Sequence, residues 1–149
     1  MKYNKAYDGE DFQKYQEYLS TIKASLSQDI FDFVSDPARH DFSKQSLHDS
    51  RLKKAECIRF LDTGQLTVAL VLINADFDRE FSFYFRDVSQ YKIAQQISDM
   101  DSDLITFEVG LEQDANENKM LVFRAMFSGK DAMVEVYFKQ LTIKEMPLK

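Results

Sequence analysis

Several residue types that mark particular protein classes are scarce in this chain of 149 residues. Cys57 is its one cysteine, so no internal disulfide can form and no second cysteine exists for a zinc site. The four glycines and two prolines exclude collagen-like and linker-dominated architectures. The longest apolar run, from Leu66 to Ile73, is far shorter than the roughly 20 residues of a membrane-spanning helix. What is left is a globular chain long enough to fold without a disulfide or metal.

The N-terminal sequence MKYNKAYDGEDF lacks the apolar core and the small-residue cleavage site of a secretory signal. Together with the single cysteine, this predicts a cytoplasmic protein that does not contact a membrane. Acidic residues outnumber basic ones by 25 to 19, which gives a formal net charge of −6. Because a negative chain repels a phosphate backbone, we expect no nucleic-acid partner.

One stripe of apolar residues at helical spacing predicts an amphipathic helix between Asp11 and Val34. Its members are Phe12, Tyr15, Leu19, Ile22, Leu26, Ile30 and Phe33. Asp36-Pro37 ends the pattern, because proline disfavours helical dihedral angles in the residue before it, and Ser25 or Ser27 can divide the helix in two. We expect the stripe to pack on the core.

After a polar connector, six segments have strand patterns, and short turns separate most of them. Their ranges are 51–61, 66–73, 80–88, 105–112, 121–127 and 134–139. The prediction is an α+β fold, with an antiparallel sheet of about six strands in a meander and the N-terminal helix packed on one face. We expect one domain over residues 1–149, with a helical segment at 1–36 and the sheet at 45–143. Residues 89–100 fit neither pattern, and their role stays open.

Two His-Asp dipeptides, at His40 and His48, provide groups used in metal binding and general base catalysis. No third histidine is available to complete a zinc site. A structural role is favoured, in which Asp49 and Ser50 satisfy backbone groups at the first strand and His48 is half-buried and hydrogen-bonded. We therefore expect no catalytic residue, metal or cofactor. The alternative is a small hydrolase or metal-dependent enzyme that uses His48 and Asp49.

Acidic residues are concentrated between Ser98 and Asn118, a segment with seven carboxylates and no base. They are Asp99, Asp101, Asp103, Glu108, Glu112, Asp114 and Glu117. The alternate carboxylates at its start lack the glycine and glutamate that a calcium loop requires. Such a segment can keep a protein soluble, or it can steer a basic partner protein towards the surface.

A second candidate surface lies on the outer face of the predicted sheet. If Leu121, Phe123, Ala125 and Phe127 point to the helix, the alternate residues point away from it. These outward residues are Met120, Val122 and Met126, beside Tyr137. Methionine and tyrosine are enriched in interface cores. This face can bind a partner, form a homodimer or be covered by residues 89–100.

Three motifs give the chain a family resemblance: SLHDSRLKKAE entering the first strand, the strand FSFYFRDV, and the hairpin AMFSGKDAMVEVYFKQLTI. In this order they resemble the small Leu-His-Asp proteins of bacteria, a group that includes immunity proteins of polymorphic toxin systems. The resemblance covers about residues 45–143 and includes Leu47-His48-Asp49. It implies a non-enzymatic protein that binds and neutralises a cognate toxin, and it does not make His48 catalytic. The residues themselves leave open a protein-binding module, an enzyme and a structural or oligomerisation domain.

Overall fold

A computed structural model describes residues 1–94 and 102–148 of the chain. The fold is α+β, with two antiparallel sheets of four strands each and two helices near the N-terminus. The α+β class is therefore confirmed. The prediction of about six strands in one meander is wrong, because the described residues form eight strands in two sheets.

The helices and strands have well-defined bounds. The helices are α1 (Phe12–Ile22) and α2 (Gln28–Ser35), with one-turn 3₁₀ helices at Ala6–Asp8, Lys23–Ser25 and Pro37–Arg39. The strands are β1 (Arg51–Arg59), β2 (Leu66–Ile73), β3 (Arg79–Arg86), β4 (Gln90–Ile93), β5 (Leu104–Gln113), β6 (Lys119–Phe127), β7 (Met133–Phe138) and β8 (Gln140–Pro147). None of the helices in the described ranges is long and apolar enough to cross a membrane.

Two abrupt changes of sheet explain the topology. The first sheet has the order β1-β2-β3-β8 and the second has the order β4-β7-β6-β5. The chain leaves the first sheet between Arg86 and Gln90, and it returns at Lys139, the one residue between β7 and β8. Asp87 has a φ of 52° at the first change of sheet. Strands β3 and β4, and likewise β7 and β8, therefore lie in different sheets, although their connections are as short as hairpin turns.

Phenylalanines from both sheets form the centre of the core. The alternation in β3 buries Phe81, Phe83 and Phe85, as the sequence pattern predicts. The ring centroid of Phe123 lies 5.3 Å from that of Phe83 and 5.2 Å from that of Phe85. Phe138 adds an edge-to-face contact with Phe85 at 5.1 Å. Phe123 therefore faces the opposite sheet, and not the helix as predicted.

The predicted helical stripe is divided where Ser27 begins α2. The hydroxyl of Ser27 accepts a hydrogen bond from Ile30 N at 3.3 Å, which caps the second helix. Leu19 of α1 and Ile30 of α2, both members of the stripe, are buried, so the stripe packs on the core as predicted. Phe33 makes edge-to-face contacts with Phe81 at 6.3 Å between ring centroids.

Helix α1 also closes the free edge of β5. The hydroxyl of Tyr15 donates to Val109 O at 3.0 Å and accepts from Val109 N at 2.7 Å. The hydroxyl of Tyr18 accepts from Leu111 N at 3.0 Å. Gly110 lies between these two residues, where a Cβ atom would overlap the ring of Tyr3. Unpaired backbone groups on a strand edge promote aggregation, and here tyrosine hydroxyls satisfy three of them.

Candidate interaction surface

The seven carboxylates of the predicted acidic surface lie in different environments. Asp99 and Asp101 are outside the described residues. Asp103 forms an ion pair with Arg51, with 3.1 Å between Oδ1 and Nε. Glu117 is exposed in the turn between β5 and β6, where it has a φ of 64°.

The other three carboxylates are largely withdrawn from solvent. Glu108 and Asp114 are buried, and the Glu112 side chain is 11% exposed. Asp114 Oδ1 accepts hydrogen bonds from Asn116 N at 2.9 Å and Asn118 N at 3.0 Å, which closes the turn after β5. The expectation that the acidic segment faces solvent is therefore wrong for these three residues. The partner-binding role of the segment stays a prediction.

Arg124 provides the positive charge that the acidic segment lacks. The strand register places Glu108, Arg124 and Glu135 side by side on the outer face of the second sheet. The guanidinium donates to Glu135 at 2.7 Å and to Glu108 at 3.2 Å. It also binds both carboxylate oxygens of Glu112, at 2.6 and 2.8 Å. These bonds from Arg124 lower the pKa of Glu112 to about 2, and those from Glu112 raise the pKa of Arg124 above its ordinary value.

Glu108 fixes the N-terminal segment on this face. Its Oε1 accepts hydrogen bonds from Tyr3 N at 3.0 Å and Asn4 N at 3.1 Å, and its Oε2 lies 3.4 Å from Lys2 N. Together with Arg124, these donors satisfy the fully buried carboxylate. The predicted site residues Glu108 and Glu112 thus belong to a structural network that orders the first residues of the chain.

Three of the four predicted outer-face residues are also buried. Met120, Val122 and Tyr137 form a small cluster with little exposure, and Met126 has intermediate exposure. Little of these three side chains is therefore accessible to a partner or to a second copy of the chain. Residues 95–100, part of the segment that was expected to be able to cover this face, lie outside the described residues. Binding or dimerisation through this face stays a prediction.

His48 and Asp49 lie close together but are not joined by a hydrogen bond. His48 Nδ1 is 3.1 Å from Asp49 Oδ1, yet this contact does not meet the geometry of a hydrogen bond, and Nδ1 has no hydrogen-bond partner among the described residues. The expected hydrogen bond to His48 is therefore wrong for this ring nitrogen. Asp49 has a φ of 63°, and its backbone N–H donates to Leu104 O at 2.8 Å where the chain enters β1. No group of three His, Cys, Asp or Glu residues among those described could hold a metal ion.

His40, by contrast, is a fully bonded residue of the core. Its Nε2 is 2.8 Å from Val34 O, and its Nδ1 is 3.3 Å from Asn4 Nδ2. The ring stacks on Phe107 with 4.2 Å between centroids. Burial lowers the pKa of His40 to about 4, so the imidazole is neutral near pH 7.

A patch that the sequence analysis did not identify lies at the end of β1. Ile58, Phe60 and Leu61 are 44%, 48% and 95% exposed, and we call these three residues the tip patch. Hydrogen bonds from Phe60 N to Gln65 O at 2.9 Å and from Gly64 N to Phe60 O at 2.7 Å fix the turn that carries them. The weak alternation of residues 51–61 could have indicated this patch, since the apolar residues there do not share one face of the strand and cannot all point into the core.

A groove on the outer face of the first sheet adjoins the tip patch. It has a volume of about 470 Å³ and is lined by Phe60, Gln65, Thr67, Tyr84, Arg86, Asp87 and Gln140. We call it the outer groove. Ile58 opposes Thr67 in the register of β1 and β2, so the tip patch and the groove share one face. A scan against protein-family models, a search of curated proteins and a search of solved structures each find no match.

Proposed function

We propose that this protein is a non-enzymatic protein-binding module that acts through the tip patch. The observation that supports the proposal is the fixed display of Phe60 and Leu61 in a hydrogen-bonded turn. Burial of one large apolar side chain contributes about 1.5–3 kcal/mol. Because the turn is already ordered, binding a partner requires little further loss of conformational entropy.

The resemblance of residues 45–143 to Leu-His-Asp proteins supports a more specific version of this proposal. The partner is then a protein such as a toxin, which the module neutralises by covering its active surface. A cytoplasmic location, as expected from the sequence, is consistent with that role.

Site-specific photocrosslinking in the native host tests the proposal. A photoreactive phenylalanine analogue replaces Phe60 in one variant and Phe77 in the control. Phe77 is 47% exposed and follows β2 at the opposite end of the first sheet, so it matches Phe60 in type and exposure. We expect a crosslink to a partner protein from position 60 and not from position 77.

Reconstitution with the purified partner completes the test. Leu61→Asp should weaken binding by about tenfold or more without loss of stability, because Leu61 contacts little of its own chain. Crosslinks only to a second copy would support an oligomerisation domain instead. A partner that binds Leu61→Asp as tightly as the original chain would contradict the proposal.

A further inference from the structure

The outer edges of the two sheets are protected to different degrees. In the second sheet, tyrosine hydroxyls of α1 bond to the edge strand β5. In the first sheet, β1 is an edge strand, and its outer edge pairs with the described residues only through one bridge between Arg51 and Asp103. Beyond that bridge, residues 53–59 are all exposed. An unprotected strand edge is a template for pairing with another chain.

The pairing of β1 with β2 determines which backbone groups face this edge. Phe60 N donates to Gln65 O at 2.9 Å, so the backbone groups of Phe60 point towards the β2 side. The register is regular over residues 54–59, and the direction of the backbone groups alternates along a strand. The N–H and C=O groups of Ala55 and Cys57 therefore point to the open edge.

Two opposite charges lie at the middle of β1. Lys54 and Glu56 oppose Val71 and Ala69 of β2, which alternate with the buried residues of that strand, so both charges are on the outer face of the sheet. Their Nζ and Oε1 atoms are 2.9 Å apart, and the side chains are 58% and 46% exposed. Ala55 lies between them and carries no charge. The sequence Lys-Ala-Glu is therefore complementary to itself when two copies run in opposite directions.

We propose that β1 pairs antiparallel with β1 of a second copy, centred on Ala55, so that the two first sheets form one continuous sheet. The two Ala55 residues then exchange N–H···O bonds, at a Cα separation of about 5.5 Å. Lys54 of each copy lies opposite Glu56 of the other, in pairs without backbone bonds, where side chains approach most closely. The interface is twofold symmetric, with the same residues contributed by both copies. Dimerisation through β1 goes beyond the proposed function, since Phe60 and Leu61 lie outside the paired residues 53–57.

The neighbouring registers lack this complementarity. Pairing centred on Glu56 would place two carboxylates directly opposite each other, which destabilises a strand pair. Pairing centred on Cys57 would place Glu56 opposite Ile58, so neither charge would gain a partner. The order of charges along β1 therefore selects the register centred on Ala55.

Sedimentation velocity of the full chain over a range of concentrations tests dimerisation. We expect a reversible monomer–dimer equilibrium. Lys54→Glu places a carboxylate opposite Glu56 of the second copy, so the dissociation constant of the dimer should rise by about tenfold or more. In the variant that combines Lys54→Glu with Glu56→Lys, the two charges are exchanged and dimerisation should return.

Lys14→Glu on α1 is the matched control. Lys14 also forms an exposed ion pair, with Glu10, and the two single variants have the same net charge, −8 in place of −6. We expect the control to dimerise like the original chain, and circular dichroism checks that each variant is folded. A chain that stays monomeric at its highest soluble concentration would overturn the inference. Equal weakening in the control, or no recovery in the exchanged variant, would also overturn it.

Cysteine crosslinking tests the register. In Ala55→Cys with Cys57→Ser, the two introduced thiols face each other at a Cα separation that a disulfide can span. In the original chain, Cys57 lies about 13 Å from its counterpart, because four residues separate the two along the paired strands. Mild oxidation should therefore link the variant into a covalent dimer and leave the original chain unlinked. A covalent dimer of the original chain alone would mean pairing centred on Cys57 and would overturn the inference.

The proposed function is tested separately by Leu61→Asp. This variant should dimerise like the original chain, because Leu61 lies outside the paired residues. If the original chain is monomeric and Leu61→Asp abolishes binding of the purified partner, the tip patch is correct and dimerisation through β1 is wrong. If the original chain dimerises as described and Leu61→Asp binds the partner normally, dimerisation is correct and the tip patch is wrong.

Discussion

Replacement of Arg124 by methionine should greatly destabilise the fold. Methionine preserves much of the apolar length of the side chain but removes its bonds to Glu108, Glu112 and Glu135. Loss of one partner from a buried ion pair costs about 3–5 kcal/mol, because a charge is left in a poorly solvated place. Glu108 keeps its backbone donors from Tyr3 and Asn4. The expected loss is therefore near the lower end, about 3 kcal/mol.

Urea denaturation at pH 7 measures this loss. The chain has no tryptophan, so far-ultraviolet circular dichroism is the suitable signal. Arg86→Met is the matched control, because Arg86 is exposed and forms no ion pair with the residues that the structure describes. Its loss should change the free energy of unfolding by less than about 0.5 kcal/mol. Adding Glu108→Gln to Arg124→Met should restore part of the stability, since it removes the buried charge.

The acid limb of the stability curve provides a second measurement. In the folded chain the bonds from Arg124 hold the pKa of Glu112 at about 2, below its ordinary value of 4.5. This stabilisation is complete above pH 4.5 and is lost as the pH falls towards 2. That loss should be smaller in Arg124→Met. The reasoning is refuted if Arg124→Met lowers the free energy of unfolding by less than about 1 kcal/mol at pH 7 and its stability still falls as much at acid pH as that of the original chain.

Three further predictions follow from single residues of the core. The pKa of His40 is about 4 in the folded chain and 6.5 in the unfolded chain, so the free energy of unfolding should fall from pH 6.5 to pH 4 by up to about 1.4 kcal/mol per pH unit. Denaturation of His40→Phe should lack this pH dependence, and an unchanged pH dependence would exclude His40 as its source. Tyr15→Phe removes the hydroxyl that bonds to both backbone groups of Val109, so thermal unfolding should show a stability lower by about 1–3 kcal/mol. An unchanged stability would mean that water replaces the hydroxyl. Leu19→Ala should lower the free energy of unfolding, measured by urea denaturation, by about 2–5 kcal/mol, because Leu19 is buried. A decrease below about 0.5 kcal/mol would place this side chain outside the core.

The sequence predicts the elements of this fold better than their arrangement. The apolar stripe of the helices and the alternating phenylalanines of β3 depend on local periodicity, which a sequence displays directly. The two sheets could not be predicted in this way. One residue separates β7 from β8, a spacing that favours a hairpin, yet Lys139 carries the chain from one sheet to the other.

The candidate site was likewise predictable only where it depends on neighbouring residues in the sequence. Counting charges along the chain finds seven acids without a base, but Arg124 reaches Glu108 and Glu112 from the neighbouring strand. That pairing depends on strand register, which the sequence alone does not fix here. The tip patch was missed for a different reason. Ile58 and Phe60 have the apolar side chains of core residues, but they lie at the far end of the edge strand β1 and in the turn that follows it, where they are exposed.

The contacts of the N-terminal segment affect how the chain can fold during synthesis. Tyr15 emerges first from the ribosome, but its partner Val109 follows 94 residues later, which corresponds to about 5–20 s of translation. Throughout that interval the apolar stripe of α1 has no strand edge to cover and is available to chaperones. Ribosome-arrest measurements of pulling force should therefore show no folding of the helices until β5 and β6 have left the exit tunnel. A force peak at shorter chain lengths would mean that the helices first pack on the strands of the first sheet.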